Sequence, residues 1–240
     1  MTEYARRGFL AAGATFAGAI AVAPGLHLIA PARARGAGEP ASSANRWGLL
    51  IDTGKCSASC DACVKACATE NGITEQVADP RQRSQWIRKI EIKEKSGHQH
   101  SLPMMCQHCA EPPCVDVCPT GASMKRADGI VLVDRHVCIG CRYCMMACPY
   151  KARSFVHQPL TEQNPQVPRG VGCVEACTLC VHRVDKGQLP ACVEACSEGA
   201  MLFGDLADPN SEISRRIAHE ATTQVRADLK LNTGVRYQGI

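Results

Sequence analysis

Seventeen cysteines among 240 residues constrain this chain more than any other feature of its sequence. Sixteen of them form four groups of four, and Cys173 stands apart. The groups are Cys56, Cys60, Cys63 and Cys67; Cys106, Cys109, Cys114 and Cys118; Cys138, Cys141, Cys144 and Cys148; and Cys177, Cys180, Cys192 and Cys196. The chain has only four Phe, two Trp and four Tyr. Large rings are therefore too few to fill the interior, and we expect something held by the cysteines to fill it.

The third group has the spacing C-x2-C-x2-C-x3-C-P, with Pro149 after its last cysteine. This run is typical of bacterial ferredoxins, in which the fourth cysteine binds the neighbouring iron–sulfur cluster. In the second group the gap between its second and third cysteines is wider, and Pro119 follows the last cysteine. Because proline lacks an N–H and fixes φ, it turns the chain away from the site. Sixteen cysteines in four groups predict four [4Fe–4S] clusters.

Two other uses of cysteine compete with this interpretation. Disulfides are common in cysteine-rich exported proteins, but seventeen is an odd number and closely spaced C-x2-C pairs are poor partners for each other. Structural zinc also takes four cysteines, although zinc ribbons present two C-x2-C pairs instead of repeated C-x2-C-x2-C-x3-C-P runs. Spacing and count together favour iron–sulfur clusters.

Residues 1–34 resemble a twin-arginine export signal. Arg6 and Arg7 precede Phe9 and Leu10, an Ala/Gly-rich apolar run follows, and Ala32–Ala34 has the form of a cleavage site. This route exports folded proteins, which suits a chain that acquires its cofactor in the cytoplasm. The sequence thus predicts a periplasmic protein, with a retained signal anchor as the alternative. After residue 32 no stretch approaches the ~20 apolar residues of a membrane span.

The order of apolar and cysteine-rich segments predicts an α+β fold of two bacterial-ferredoxin-like units, one inserted in the other, with loop-rich connections. The inserted unit is 101–158, and the outer, split unit is 46–100 and 159–208. Strands are expected within Trp47–Asp52, Gly129–Asp134, Ala152–His157 and Gly199–Gly204. A linker at 35–45 precedes the fold, and residues 209–240 are expected to form a polar tail with a short helix within Ser211–Ala221.

Charge and motif content favour electron transfer over catalysis. After residue 34 the chain has 24 basic and 22 acidic residues, an excess too small to indicate nucleic-acid binding. No Ser/His/Asp, HExxH, P-loop or GxGxxG set is present, and no C-x2-C-H for c-type haem, so we expect no catalytic residues. His108 lies inside a cysteine motif, where we expect it to hydrogen-bond or pack. An enzyme acting on sulfur compounds at an exposed cluster and a structural metal protein remain the alternatives.

The motifs resemble those of the four-cluster iron–sulfur subunits of bacterial respiratory complexes, which serve dimethyl sulfoxide, polysulfide, nitrite and tetrathionate reductases. The resemblance covers nearly all of 46–209. It is carried by Asp52–Cys56, Cys106–Cys114, Cys138–Cys144, Cys177–Cys180 and Pro190–Cys192. Within the family the chain is most similar to the DsrO group, periplasmic subunits of a membrane complex linked to dissimilatory sulfite reductase. Trp86–Glu94, Cys138–His157 and Leu231–Ile240 carry that finer similarity.

The resemblance implies ligand sets in which paired groups exchange their last cysteine. The sets are Cys56, Cys60, Cys63 and Cys196; Cys177, Cys180, Cys192 and Cys67; Cys106, Cys109, Cys114 and Cys148; and Cys138, Cys141, Cys144 and Cys118. It also implies two partners, an integral membrane quinone-interacting subunit and a periplasmic multihaem cytochrome c. The alternative is the electron-transfer subunit of a molybdopterin-dependent reductase, such as a polysulfide or tetrathionate reductase.

The chain departs from the family pattern in two places. The first two cysteines of the first group are separated by Ser57–Ser59, three residues where the family usually has two. Ala68 and Ser197, not proline, follow the last cysteines of the first and fourth groups. We expect looser turns at these places with the clusters retained, and Cys56 to be the least secure ligand.

Overall fold

The computed structural model describes residues 36, 38–73, 77, 79–93, 95, 97, 99–161 and 163–240. The predicted export signal lies outside the described residues. The described strands are β1 (Trp47–Asp52), β2 (Ile87–Lys93), β3 (Gln99–Met105), β4 (Ser123–Lys125), β5 (Val131–Val133), β6 (Arg153–Phe155), β7 (Val174–Ala176), β8 (Met201–Asp205), β9 (Thr222–Thr223) and β10 (Val235–Gln238). The described α-helices are α1 (Ala62–Glu70), α2 (Pro113–Asp116), α3 (Tyr143–Ala147), α4 (Val181–Val184), α5 (Ala191–Glu194) and α6 (Glu212–His219). Single 3₁₀ turns lie at Thr53–Lys55, Pro80–Gln82 and Ala227–Leu229. The expected mixture of short helices and strands with long connections is confirmed.

Four of the helices carry cysteines of the four groups. Proline sets the start of two of them: Pro112 and Pro113 begin α2, and Pro190 precedes α5. The missing N–H of proline costs nothing at a helix start, where the first N–H groups have no helical partner. Helix α1 packs against α5, and α2 packs against α3. These two contacts bring the first cysteine group to the fourth and the second group to the third.

A four-stranded sheet in the order β8-β1-β10-β9 forms one side of the core. Strand β1, which the sequence predicts at these bounds, is its most buried member, with Leu49, Leu50 and Ile51 almost fully buried. It runs antiparallel to β8 and parallel to β10. The strand that enters the first cysteine group therefore pairs with the strand that leaves the fourth.

The other described strands form three antiparallel hairpins, β2–β3, β4–β5 and β6–β7. The β4–β5 hairpin lies between the second and third groups, where the sequence predicts one strand. Strand β6 follows the third group and pairs with β7, which precedes the fourth. This pairing crosses residue 158, the expected end of the inserted unit, so the two expected units share a hairpin.

The C-terminal segment is more integrated than the polar tail expected from sequence. Helix α6 lies within the predicted range, and Ser211 Oγ caps it by accepting from the Ser214 N–H at 3.2 Å. Strand β10, however, lies inside the sheet, with Val235 and Tyr237 fully buried. The expectation of a tail is therefore wrong for this strand. Alternation along a strand turns these two side chains inward, but four residues give too short a pattern to be recognised in the sequence.

Tyr237 connects β10 to the segment that enters the second cysteine group. Its hydroxyl donates to the carbonyl oxygen of Pro103 at 2.9 Å and accepts from Gln107 Nε2 at 3.2 Å. Gln107 lies between the first two cysteines of that group. The C-terminal strand is thus hydrogen-bonded to the second cysteine motif through Tyr237 and Gln107.

We expect Tyr237→Phe to destabilise the holo protein by about 1–3 kcal/mol, because the buried carbonyl of Pro103 loses a donor and the buried amide of Gln107 loses one of its two acceptors. Anaerobic thermal denaturation, monitored through the loss of visible absorption, should show a lower transition temperature. Tyr143→Phe is the matched control, since Tyr143 is 59% exposed. Equal transitions for the two variants would contradict the role given to the hydroxyl.

Candidate iron–sulfur centres

The same turn recurs in three of the four cysteine groups. The residue two positions after the first cysteine has left-handed φ in each case: 44° at His108, 70° at Gly140 and 54° at Leu179. This conformation is uncommon for residues with a Cβ. At Gly140 it coincides with a close approach, since a Cβ would lie 2.3 Å from the carbonyl oxygen of Gly172. The repeated turn curls each C-x2-C segment around one point.

The first group is built differently, as its wider spacing predicts. No residue from Cys56 to Cys67, all of them described, has a positive φ. Lys89, from β2, closes the longer loop instead: its Nζ donates to the carbonyl oxygens of Ser57, of Ala58 at 3.3 Å and of Cys60 at 2.6 Å. An ammonium has three donors and can satisfy three carbonyls at once. Sequence reasoning missed Lys89, because nothing in its own segment marks it.

The fold brings the cysteines together in sets that cross the groups. In each set, thiols from one group face the last cysteine of another. Cys56, Cys60 and Cys63 face Cys196; Cys177, Cys180 and Cys192 face Cys67; Cys106, Cys109 and Cys114 face Cys148; and two thiols, Cys138 and Cys144, face Cys118. Two small cavities of about 20 Å³ each are lined by all four members of the first and the third of these sets. Cys141, the remaining member of the third group, is exposed.

All seventeen cysteines lie within the described residues, and none of them forms a disulfide. Within that part of the chain, no three His, Cys, Asp or Glu side chains are packed closely enough to hold a single metal ion. Cys173 is buried outside the four sets, where its thiol donates to the carbonyl oxygen of Arg135 at 3.3 Å. Disulfides and single-metal sites therefore do not account for the four sets of cysteines in the described part of the chain.

Burial makes most of these thiols hard to ionise. It raises the pKa of Cys106, Cys109 and Cys192 to about 12, and for Cys109 the neighbouring sulfurs add to the effect. Cys118 differs: although burial opposes it, the N–H of Ser123, 3.3 Å from the sulfur, helps to hold its pKa below the usual range. Metal ligation needs deprotonated thiols, so a buried set requires positive charge at its centre.

A buried arginine tests whether an iron–sulfur cluster fits these sets. The Arg153 side chain is only 7% exposed, and its Nη2 donates to Cys114 Sγ at 3.0 Å and to Ser123 Oγ at 2.8 Å. Its Nη1 is buried with no hydrogen-bond partner in the described part of the protein. A buried cation needs an anionic neighbour. Four thiolates outweigh the charge of an iron–sulfur core, so a bound cluster supplies that anion, and the residues fit the cofactor.

His108 has the supporting role expected from its position. Its Nδ1 accepts from the Val131 N–H at 3.0 Å and so ties the second cysteine group to β5. Burial, with a contribution from Arg153, lowers the pKa of His108 to about 4. The ring is therefore neutral at physiological pH and serves as a brace between the two segments.

Comparison with known proteins gives the family. A model of the 4Fe-4S dicluster domain matches residues 98–206. The chain is 43% identical over 223 residues to the Hdr-like menaquinol oxidoreductase iron-sulfur subunit 1 of Archaeoglobus fulgidus, covering 80% of this chain and 82% of the relative. It is 40% identical over 187 residues to the protein NrfC of Escherichia coli, covering 77% and 76%. It is 38% identical over 176 residues to a tetrathionate reductase subunit of Salmonella typhimurium, covering 72% and 63%.

The chain belongs to the 4Fe-4S dicluster iron–sulfur subunits of oxidoreductase complexes. Members of this family are electron-transfer subunits and not the catalytic subunits of their complexes. The cofactor prediction is thereby confirmed: the chain carries [4Fe–4S] clusters, and its seventeen cysteines suffice for four. No helix among the described residues has both the length and the apolarity needed to cross a bilayer.

We expect Lys89→Met to weaken one cluster selectively, because the longer loop of the first group loses three hydrogen bonds. The cluster expected at Cys56, Cys60, Cys63 and Cys196 should release its iron first when the holo protein is exposed to a chelator. The measurement is iron release over time, which should gain a fast phase of about one quarter of the total.

Lys93→Met is the matched control, since Lys93 lies on the same strand and is exposed. Release curves for Lys89→Met that match those of the control would show that the lysine does not support the loop.

Proposed function

We propose that this chain relays electrons through four [4Fe–4S] clusters between a redox partner and a membrane quinone-interacting subunit. The carrying observation is the crossing of the cysteine sets, because two sites that exchange a ligand must lie side by side. Closely spaced clusters suit electron transfer. A cluster whose four irons are all bound by cysteine has no free coordination position for a substrate. The A. fulgidus relative is named a menaquinol oxidoreductase subunit, which supports a quinone-linked partner.

We assign the ligands by the sets that the fold brings together, with all sixteen grouped cysteines as ligands and Cys173 as none. Two observations support the assignment. The packing of α1 on α5 and of α2 on α3 joins the same groups that exchange their last cysteines. The N–H groups of Ser123 and Ala200 each lie 3.3 Å from the sulfur of such a last cysteine, Cys118 and Cys196. A hydrogen bond to a thiolate favours its charged form.

The arrangement of two ferredoxin-like units, with 101–158 inserted between 46–100 and 159–208, is also part of the proposal. The antiparallel pairing of β1 with β8 supports it, since this pairing closes the outer unit around the inserted residues. The shared β6–β7 hairpin makes the two units mechanically continuous. A rigid connection of this kind would keep the distances between clusters constant, as a relay requires.

The surface around the third cysteine group supports a role within a larger complex. Ile139, Tyr143 and Met146 are 68%, 59% and 75% exposed, and Val137 is nearly half exposed. Apolar side chains grouped at a surface are typical of protein contacts, and these surround the exposed Cys141. The cluster assigned to this group is thus the one placed best to exchange electrons with a partner.

We further propose periplasmic location after twin-arginine export, peripheral to the inner membrane, and a place in dissimilatory sulfur metabolism as a DsrO-type protein with a multihaem cytochrome c as its neighbour. The paired Arg6 and Arg7 and the resemblance in Cys138–His157 support this assignment. The second candidate is the electron-transfer partner of a molybdopterin-dependent reductase. It is favoured by the similarity to the tetrathionate reductase subunit and to a putative dimethyl sulfoxide reductase iron-sulfur subunit of Halobacterium salinarum.

The relay is tested with anaerobically purified holo protein and two electron donors. With reduced viologen and added tetrathionate, polysulfide or dimethyl sulfoxide, we expect the clusters to become reduced without sustained viologen oxidation. A quinol should exchange electrons with the clusters only when membranes that retain the other subunits are added. Sustained turnover of any of these substrates by the protein alone would contradict the relay, as would cluster reduction by quinol without membranes.

The ligand exchange is tested with Cys118→Ala. Although Cys118 lies in the second group, we expect the damaged cluster to be the one on Cys138, Cys141 and Cys144. Electron paramagnetic resonance of the oxidised variant should show one new three-iron signal, and a structure of the variant should place it. Cys173→Ala, the control, should keep all clusters intact. Damage to the cluster on Cys106, Cys109 and Cys114 would show that the exchange is wrong.

A further inference from the structure

Arg153 occupies a position that none of the roles above explains. It begins β6, immediately beyond the third cysteine group, and its guanidinium reaches back between two cysteine sets. Nη2 lies 3.0 Å from the sulfur of Cys114, which belongs to the set completed by Cys148. The thiol of Cys144, from the set completed by Cys118, faces the same guanidinium. One side chain therefore contacts both sets of the proposed inserted unit.

The charge of Arg153 is balanced differently from that of the buried Arg169 and of the partly buried Arg126. Arg169 pairs with Glu175 at 2.8 Å, and Arg126 pairs with Asp185 at 2.9 Å and with Asp128. Among the ion pairs of the described residues, none involves Arg153. Its Nη2 donates to the neutral hydroxyl of Ser123, and its Nη1 has no hydrogen-bond partner among the described residues. What surrounds this cation is sulfur from two sets.

We propose that Arg153 is a positioning residue that acts as the shared counter-charge of two clusters, those on Cys106, Cys109, Cys114 and Cys148 and on Cys138, Cys141, Cys144 and Cys118. The proposal rests on the ligand sets of the proposed function. A cation buried beside two anionic sites is little screened by solvent. Because reduction makes each site more negative, the guanidinium favours the reduced state of both and raises both reduction potentials together.

The set completed by Cys67 lacks such a cation in the described part of the chain. There the neutral amide Nδ2 of Asn71 lies 3.6 Å from the Cys67 sulfur. Arg183, whose charge acts on Cys180 of this set, is neutralised by Glu70 at 2.9 Å and by Glu194. The two inner clusters should therefore accept electrons more readily than this outer one.

The test is a redox titration of holo protein followed by electron paramagnetic resonance, with iron and sulfide measured on the same samples. In Arg153→Gln, which removes the charge and keeps hydrogen-bonding capacity, we expect two of the four midpoint potentials to fall and the other two to stay. Arg153→Lys should restore both. The matched control is Lys151→Gln, which removes an exposed charge two residues away and should shift none of them, because solvent screens it.

Four unchanged potentials in Arg153→Gln with full iron content would overturn the proposal, and a shift of only one would show that the charge is not shared. If Arg153→Gln loses the inner clusters, Arg153→Lys decides. Retained iron with wild-type potentials supports the counter-charge, whereas loss of iron in the lysine variant as well shows that the guanidinium is needed for its shape. Wild-type protein with fewer than four clusters would instead count against the proposed function.

Discussion

The structure depends on one constraint: the last cysteine of each group faces cysteines of a different group. Because the first and fourth groups lie at opposite ends of the cysteine-rich region, this contact determines which helices pack together and which strands close the fold. It joins α1 to α5 and α2 to α3. Nine of the grouped cysteines also belong to the main apolar core, and the chain has few aromatic residues. The cofactor sites are thus inseparable from the core, and folding and cluster binding should be coupled.

The electrostatics of the core follow from the same constraint. Burial raises the pKa of most of the thiols, so a set without metal holds protons where a loaded set holds iron. Arg153, buried without a carboxylate partner among the described residues, makes sense beside anionic clusters. The charge of Arg169, in contrast, is balanced by the carboxylate of Glu175. The protein thus supplies positive charge of its own beside two of the four sets.

Cysteine spacing and short apolar runs were enough to predict much of this architecture. Strand β1 has the predicted bounds because its six residues form a nearly continuous apolar run, most of which is buried. Helix α6 lies in the predicted range and begins after Ser211, which caps it. Two features gave no usable signal. Strand β10 is short and polar at alternate positions, and its partner β1 lies far from it in the sequence. Lys89 acts through carbonyl groups of a remote loop, and such contacts leave no pattern in the sequence near the lysine.

The central claim is that sixteen cysteines hold four [4Fe–4S] clusters that form the core of the protein. The most direct measurement is the metal and sulfide content of protein purified under anaerobic conditions. We expect about sixteen iron and sixteen acid-labile sulfide per chain, together with loss of the cooperative melting transition when iron is removed. Zinc without sulfide, or an iron-free chain with an unchanged cooperative transition, would contradict the claim.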